Sequence, residues 1–243
     1  MANIYITDKT GQTNNLNYVK NTLSELFYAL SVGVDIKTEG ARDSMTLTIP
    51  DDYFTTVQVE VADKLAEIIA ISYKYAFFKD KVHVSGLTSL EKELLTLSLI
   101  SADFEEDKGY AFTRLKNESI ISLDGMYNFR LKALKKKWCE IVDCMPTCFM
   151  KSQLKDFIGF LIETRKNVVY VDNKKVYDTH YRRLRRTDLL ENREECPIIK
   201  EILLSDGGRV EITGDIEKED EEYLKEFFVG KISLRKDFRY IDG

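Results

Sequence analysis

One stretch, Ile120–Met145 (IISLDGMYNFRLKALKKKWCEIVDCM), constrains the fold more than any other part of the chain. At about 100° per residue, Leu123, Tyr127, Leu131, Leu134, Trp138, Ile141, Val142 and Met145 share one face. That spacing predicts a long core-forming helix ending at Pro146, which cannot continue it. Lys136 and Lys137 lie well away from the apolar face, and Lys135 borders it. A solvated basic flank on a core helix is the plainer reading. The sharper one is a docking face in which Arg130, Lys132, Lys135, Lys136 and Lys137 meet an acidic protein, a phosphate backbone or an anionic membrane surface. A buried Arg130 would demand a carboxylate partner.

The rest of the chain supports a globular protein. Its 243 residues, 44% hydrophobic and 32% charged, are enough for a real core in one or two domains. A net charge of −5 argues against wholesale nucleic-acid binding, and 3 prolines with 12 glycines argue against long low-complexity segments. No run approaches the ~18 apolar residues of a membrane span. The start, MANIYITDKTGQ, lacks the basic head and apolar core of a secretory signal. Four irregularly spaced cysteines do not suggest a disulfide framework, so a reduced cytoplasmic setting is expected.

The patterning predicts a helix-rich α+β fold: two α-rich lobes with small strands or hairpins, divided around Lys79–Leu87. The first, an α+β lobe over residues 1–82, carries strands at Ile4–Thr7, Val34–Lys37 and Met45–Ile49. Its helices are expected at Asn15–Val32 and from Asp51 to about Phe78. The second, over residues 88–243, begins with a helix whose Thr88–Ser89–Leu90–Glu91 has the form of a capping box. The acidic Asp103–Asp107 and Gly109 are expected to end it, with a further helical stretch at Tyr110–Glu118. After the long segment come a helix at Ser152–Thr164 and a hairpin joining Val168–Val171 to Val176–Tyr177. A helix at Pro197–Ser205, a glycine turn, a strand at Arg209–Thr213 and an acidic helix near Lys218–Phe228 lead to a last strand at Lys231–Leu234. No internal repeat is present.

Ile121–Leu131, ISLDGMYNFRL, resembles the "iDGfxnFRL" core of the YtxC-like sporulation family of spore-forming bacteria. Val61–Tyr75, Leu90–Lys92, Phe157–Leu161, Val169–Asp178 and Ile198–Ile212 resemble further segments of that family in the same order. The departure is Met150–Lys155, MKSQLK, where the family carries an acidic run. The resemblance implies a sporulation setting. It brings no reaction and no catalytic residues.

Several chemistries are weighed and set below plainer readings. Cys139, Cys144 and Cys148, with Cys196 or a histidine, would make a zinc set. On one helix, however, Cys139 and Cys144 point about 140° apart, and their spacings are not those of zinc knuckles. Free thiols are the better reading. No histidine neighbours a cysteine in sequence to support nucleophilic catalysis. Asp35–Ile36–Lys37 matches half of a metal-nuclease motif by chance. His180–Arg186, with Arg182, Arg183, Arg185 and Arg186 beside Tyr181, suits phosphate gripping and base stacking. Pairing of those arginines with the acidic Glu219–Glu222 is the preferred alternative.

The reading that follows is a cytoplasmic, non-catalytic interaction or structural protein in a sporulation-related setting, with no cofactor and no metal. Its partner would be an acidic protein or nucleic acid, and self-association is compatible with the sequence. The alternative is a nucleic-acid-binding or processing protein using Arg182–Arg186.

Overall fold

The computed structural model describes residues 1–9, 15–192 and 194–235. Along the chain come β1 (Ala2–Lys9), α1 (Asn15–Thr22), α2 (Ser24–Ala29), β2 (Gly33–Glu39), β3 (Arg42–Ile49), α3 (Phe54–Ile68), α4 (Lys74–Lys81) and α5 (Ser89–Ala102). Then follow α6 (Phe104–Leu115), β4 (Ile120–Ser122), α7 (Leu123–Gly125), α8 (Lys132–Asp143), α9 (Lys151–Thr164), β5 (Asn167–Asp172) and β6 (Lys175–Tyr177). The last elements are α10 (Pro197–Leu204), β7 (Gly207–Thr213), α11 (Lys218–Phe227) and β8 (Ile232–Arg235). The expected helix-rich α+β class is what these elements form.

Two compact units divide the chain, and neither is continuous in sequence. One comprises residues 1–81, 103–144 and 188–191; the other comprises residues 82–102, 145–187 and 192–243. The chain passes between the units five times, after residues 81, 102, 144, 187 and 191, where the sequence suggested a single division around Lys79–Leu87.

In the first unit the sheet order is β2-β3-β1-β4, with β1 antiparallel to β3 and parallel to β4. Alternation along β1 and β3 sends Ile4, Ile6, Met45, Leu47 and Ile49 inward, all at 0% exposure. The intervening Tyr5 and Thr46, opposite each other in register, face the other way. Pro50 ends β3 and α3 starts soon after, placing Val57, Val61 and Leu65 in the core. The helical path does not stay regular. Ile69–Tyr73, between α3 and α4, is a π-helical segment, and so is Met126–Arg130, after α7.

Here the predicted long helix is corrected. Residues 120–122 form a strand, and only α8 is an extended regular helix. A π turn accommodates one extra residue and shifts the phase of the apolar stripe. Met126 is therefore buried in addition to Leu123, Leu131, Leu134 and Trp138, while Tyr127, Ile141, Val142 and Met145 are only half-buried. The acidic Asp103–Asp107 is also corrected. It begins α6 instead of ending α5, with Glu105, Glu106 and Asp107 in the first turn, where acids complement the helix dipole.

In the second unit the sheet order is β6-β5-β7-β8, with β5, β7 and β8 parallel and β6 folded back as a hairpin. Asn173 and Lys174, both at positive φ (47° and 63°), make its two-residue turn. Val169, Val171, Val176, Val210 and Ile212 are buried on the face towards the helices. The capping box expected at α5 is present. Thr88 N donates to Glu91 Oε2 (2.9 Å), and Glu91 N donates to Thr88 Oγ1 (3.3 Å). Gly207 and Gly208 lie inside β7, not in a turn before it. A Cβ on Gly208 would stand 2.2 Å from the Arg165 carbonyl oxygen, so the strand needs glycine there.

Candidate functional site

The residues of the expected docking face belong to the first unit, spread over the second π segment and α8. Arg130 is half-exposed and pairs with Glu118 at 2.7 Å, the carboxylate its sequence context called for. Two residues after Glu118, Ile120 stands 77% exposed at the free edge strand β4, and Phe129, beside Arg130, is 75% exposed. The ion pair therefore ties together the two segments that carry these apolar side chains. Lys132 is exposed, and Lys136 makes only a loose i,i+4 approach to Glu140 at 3.8 Å. Lys135 turns back, donating to Asn128 Oδ1 at 2.9 Å with its ammonium 4.0 Å from the Tyr127 ring centroid. Lys137 is withdrawn from any docking role. It donates to Asp103, Glu106 and Asp107 at 2.7–2.8 Å, and these carboxylates hold its ammonium well above the ordinary lysine range despite desolvation.

The arginine segment lies in the second unit, between β6 and α10. Arg182 pairs with Asp178 at 2.9 Å, four residues back. Arg186 reaches the C-terminus of α10, donating to the Leu204 carbonyl at 2.5 Å, while its backbone N–H and that of Thr187 donate to Glu201. A carbonyl at a helix C-terminus suits a cation, so this is a cap. Arg165 donates to the adjacent Leu203 carbonyl at 3.3 Å, and burial lowers its pKa. Arg183 is exposed and Arg185 half-buried. Tyr181 stacks on Tyr170 with ring centroids 4.6 Å apart. In the acidic helix, Glu221 pairs with Lys225 and Glu222 with Lys218.

The thiols separate by environment. Cys139 and Cys144 belong to the first unit, Cys148 and Cys196 to the second. The first three are exposed, while Cys196 is buried and its thiol is pushed up to about 12, chiefly by desolvation. Among the described residues no group of three or more His, Cys, Asp or Glu side chains is placed to hold a metal ion. Asp35 and Lys37 pair with each other at 2.8 Å on β2, both well exposed.

The sequence reading missed a cleft in the first unit. β1 and the parallel β4 end side by side, with Thr7 opposite Ser122 in register. Beyond their carboxyl ends lies a cavity of about 160 Å³ whose lining includes Asp8, Asn15, Tyr73, Phe77, Asp124 and Tyr127. Crevices outside the carboxyl ends of parallel strands are where sheets with helical connections bind ligands. Both π segments contribute, Tyr73 from one and Tyr127 from the other. Asp8, only 4% exposed, accepts from Tyr73 Oη (2.5 Å), Asn15 Nδ2 (2.7 Å) and its neighbour's backbone N–H (2.8 Å). Asp124 is forked by Arg42, with contacts of 2.8–3.2 Å, and accepts from Ser122 Oγ at 2.7 Å. Burial and the Asp8 charge raise the Tyr73 phenol, and burial pushes Tyr127 up to about 12, so both keep their protons.

No protein-family model, no curated protein and no solved structure matches this chain. Among the described residues no helix is long and apolar enough to cross a membrane.

Proposed function

We propose that this chain is a non-catalytic interaction protein that docks an acidic protein partner through the surface around Phe129. The observation that carries this reading is the exposure of Phe129 (75%) and Ile120 (77%) on segments tied by the Arg130–Glu118 pair. Lys132 and Lys136 extend the surface as a basic rim. An exposed aromatic with basic surroundings is a usual anchor for an acidic, partly apolar segment, since burial supplies affinity and charge supplies orientation. The sporulation setting rests on the resemblance of Ile121–Leu131 to the YtxC-like family, and the cytoplasmic setting on the irregular cysteines.

Photo-crosslinking from position 129 in a spore-forming host tests the reading. One protein with an acidic segment should be captured, and Lys132→Glu with Lys136→Glu should abolish capture. Turnover of nucleic acid or nucleotide by the pure protein, abolished by one carboxylate substitution, would overturn it.

A second reading, nucleic-acid binding through the arginine segment, is supported by the exposure of Arg183. It narrows to Arg183 and Arg185, since Arg182 is paired with Asp178 and Arg186 caps α10. It predicts salt-sensitive binding that falls when both become alanine.

A further inference from the structure

The Asp8 cleft has a chemistry distinct from either reading above. Asp8 is almost wholly buried, yet its three described hydrogen-bond donors, the Tyr73 hydroxyl, the Asn15 amide and a backbone N–H, are all neutral. They orient the carboxylate without cancelling its charge. Of the neighbouring cations, Arg42 is forked on Asp124, Lys79 is paired with Glu191, and Lys135 lies over one face of Tyr127 and donates to Asn128, so each of these three is engaged by a partner other than Asp8. Three carboxylates (Asp8, Asp124 and Glu191) and one lysine, Lys9, line the cavity. A buried carboxylate is most stable facing a cation.

Part of the remaining wall is aromatic. Tyr73 and Tyr127 stand with ring centroids 4.8 Å apart, and Tyr75 and Phe77 also belong to the lining. Aromatic faces attract ammonium groups, as the Lys135 ammonium over Tyr127 shows within this same unit. They also cover the apolar stem of such a ligand, which a bare inorganic ion does not possess. A volume of about 160 Å³ suits a small molecule.

We propose that this cleft binds a small organic ammonium ion, with Asp8 as its counter-ion and the Tyr73, Phe77 and Tyr127 rings as the wall along its stem. The hydroxyl of Tyr73 and the amide of Asn15 hold the Asp8 carboxylate in place, and the two π segments bring the rings to it. The ligand is a primary amine in its protonated form.

Titration calorimetry and ligand-observed NMR on the whole chain, with n-butylammonium chloride as probe, test this. Neutral n-butanol and potassium chloride at matched ionic strength are the controls. The expected result is saturable butylammonium binding, with n-butanol weaker by about tenfold or more, the equivalent of one charged contact. Asp8→Asn should lower butylammonium affinity by about tenfold, and Phe77→Leu by a smaller factor. Should Asp8→Asn fail to fold, the preference for butylammonium over butanol in the unaltered protein decides the matter. Absence of saturable binding, equal binding of butanol, equal affinity in a folded Asp8→Asn protein, or full competition by potassium would each overturn the proposal. Lys132→Glu with Lys136→Glu should leave butylammonium binding unchanged, which separates this site from the docking surface.

Discussion

The indole nitrogen of Trp138 donates to the Asp107 carboxylate at 2.8 Å, and both side chains are wholly buried. The same carboxylate oxygen receives the Lys74 ammonium at 2.7 Å, and its other oxygen receives Lys137 at 2.8 Å. Lys74, itself at 0% exposure, also contacts Asp103. Three helical segments of the first unit are thus joined at one buried carboxylate.

Asp107→Ala should therefore cost about 3–5 kcal/mol, because Lys74 loses its fully buried counter-charge and Trp138 its acceptor. Lys74→Met should cost less, since Lys137 and Trp138 still serve Asp107. Urea unfolding of both variants gives the ranking, and an equal or reversed order would refute it.

Asp220 gives the second unit a specific pH dependence. The residue is wholly buried, accepts from Ile199 N at 2.8 Å at the start of α10, and among the described residues leaves Oδ2 without a partner. Desolvation raises its carboxyl from 3.8 to about 6. The folded state then holds a proton that the unfolded chain releases, so this contribution is complete below about pH 4 and is lost as pH rises through about 6. Up to about 3 kcal/mol is at stake. Asp220→Asn should flatten the stability profile between pH 4 and 7, as read by denaturation at a series of pH values.

The thiols should titrate in two classes. An aromatic disulfide reagent at pH 8 should modify Cys139, Cys144 and Cys148 in the native protein, and Cys196 only after unfolding. Burial and a thiol pushed up to about 12 both protect Cys196. Fast modification of four thiols under native conditions would contradict the buried position of Cys196.

Gly208→Ala should be among the most damaging small substitutions in the second unit. The added carbon would meet the Arg165 carbonyl at 2.2 Å, so β7 or the end of α9 must move. A loss of about 2–4 kcal/mol is expected, against none for Gly159→Ala inside α9, where the new carbon meets nothing within 4 Å beyond its own helix backbone and alanine is the better helix former. Thermal unfolding of the two variants makes the comparison.

Local chemistry was legible in the sequence wherever neighbours along the chain decide the outcome. The Thr88–Glu91 capping box, the β5–β6 hairpin and the alternation of Met45, Leu47 and Ile49 all needed only short-range rules. The Ile120–Met145 reading failed because it assumed one helical period throughout, whereas a π turn changes the phase at Met126–Arg130. Met126 shows the slip most clearly, since it is buried although the regular period left it off the apolar face. The cleft was harder to see, because Asp8, Tyr73 and Asp124 are far apart in sequence and meet through a parallel strand pair. Lys137 looked like part of a solvated basic flank, but its three acidic partners come from the start of α6.

The parallel pairing of β1 with β4 has a consequence for how the chain acquires its structure. The strand that starts the first sheet finds one neighbour within its first fifty residues, but the other only when residues 120–122 arrive. Until then β1 offers a row of unsatisfied peptide groups along that side, a template for strand addition by another chain. A nascent or truncated product ending before β4 should therefore be prone to clumping, even with every residue of its apolar face in place. The three-residue strand, small as it is, covers β1 along Tyr5–Thr7 and becomes the shorter edge in its place.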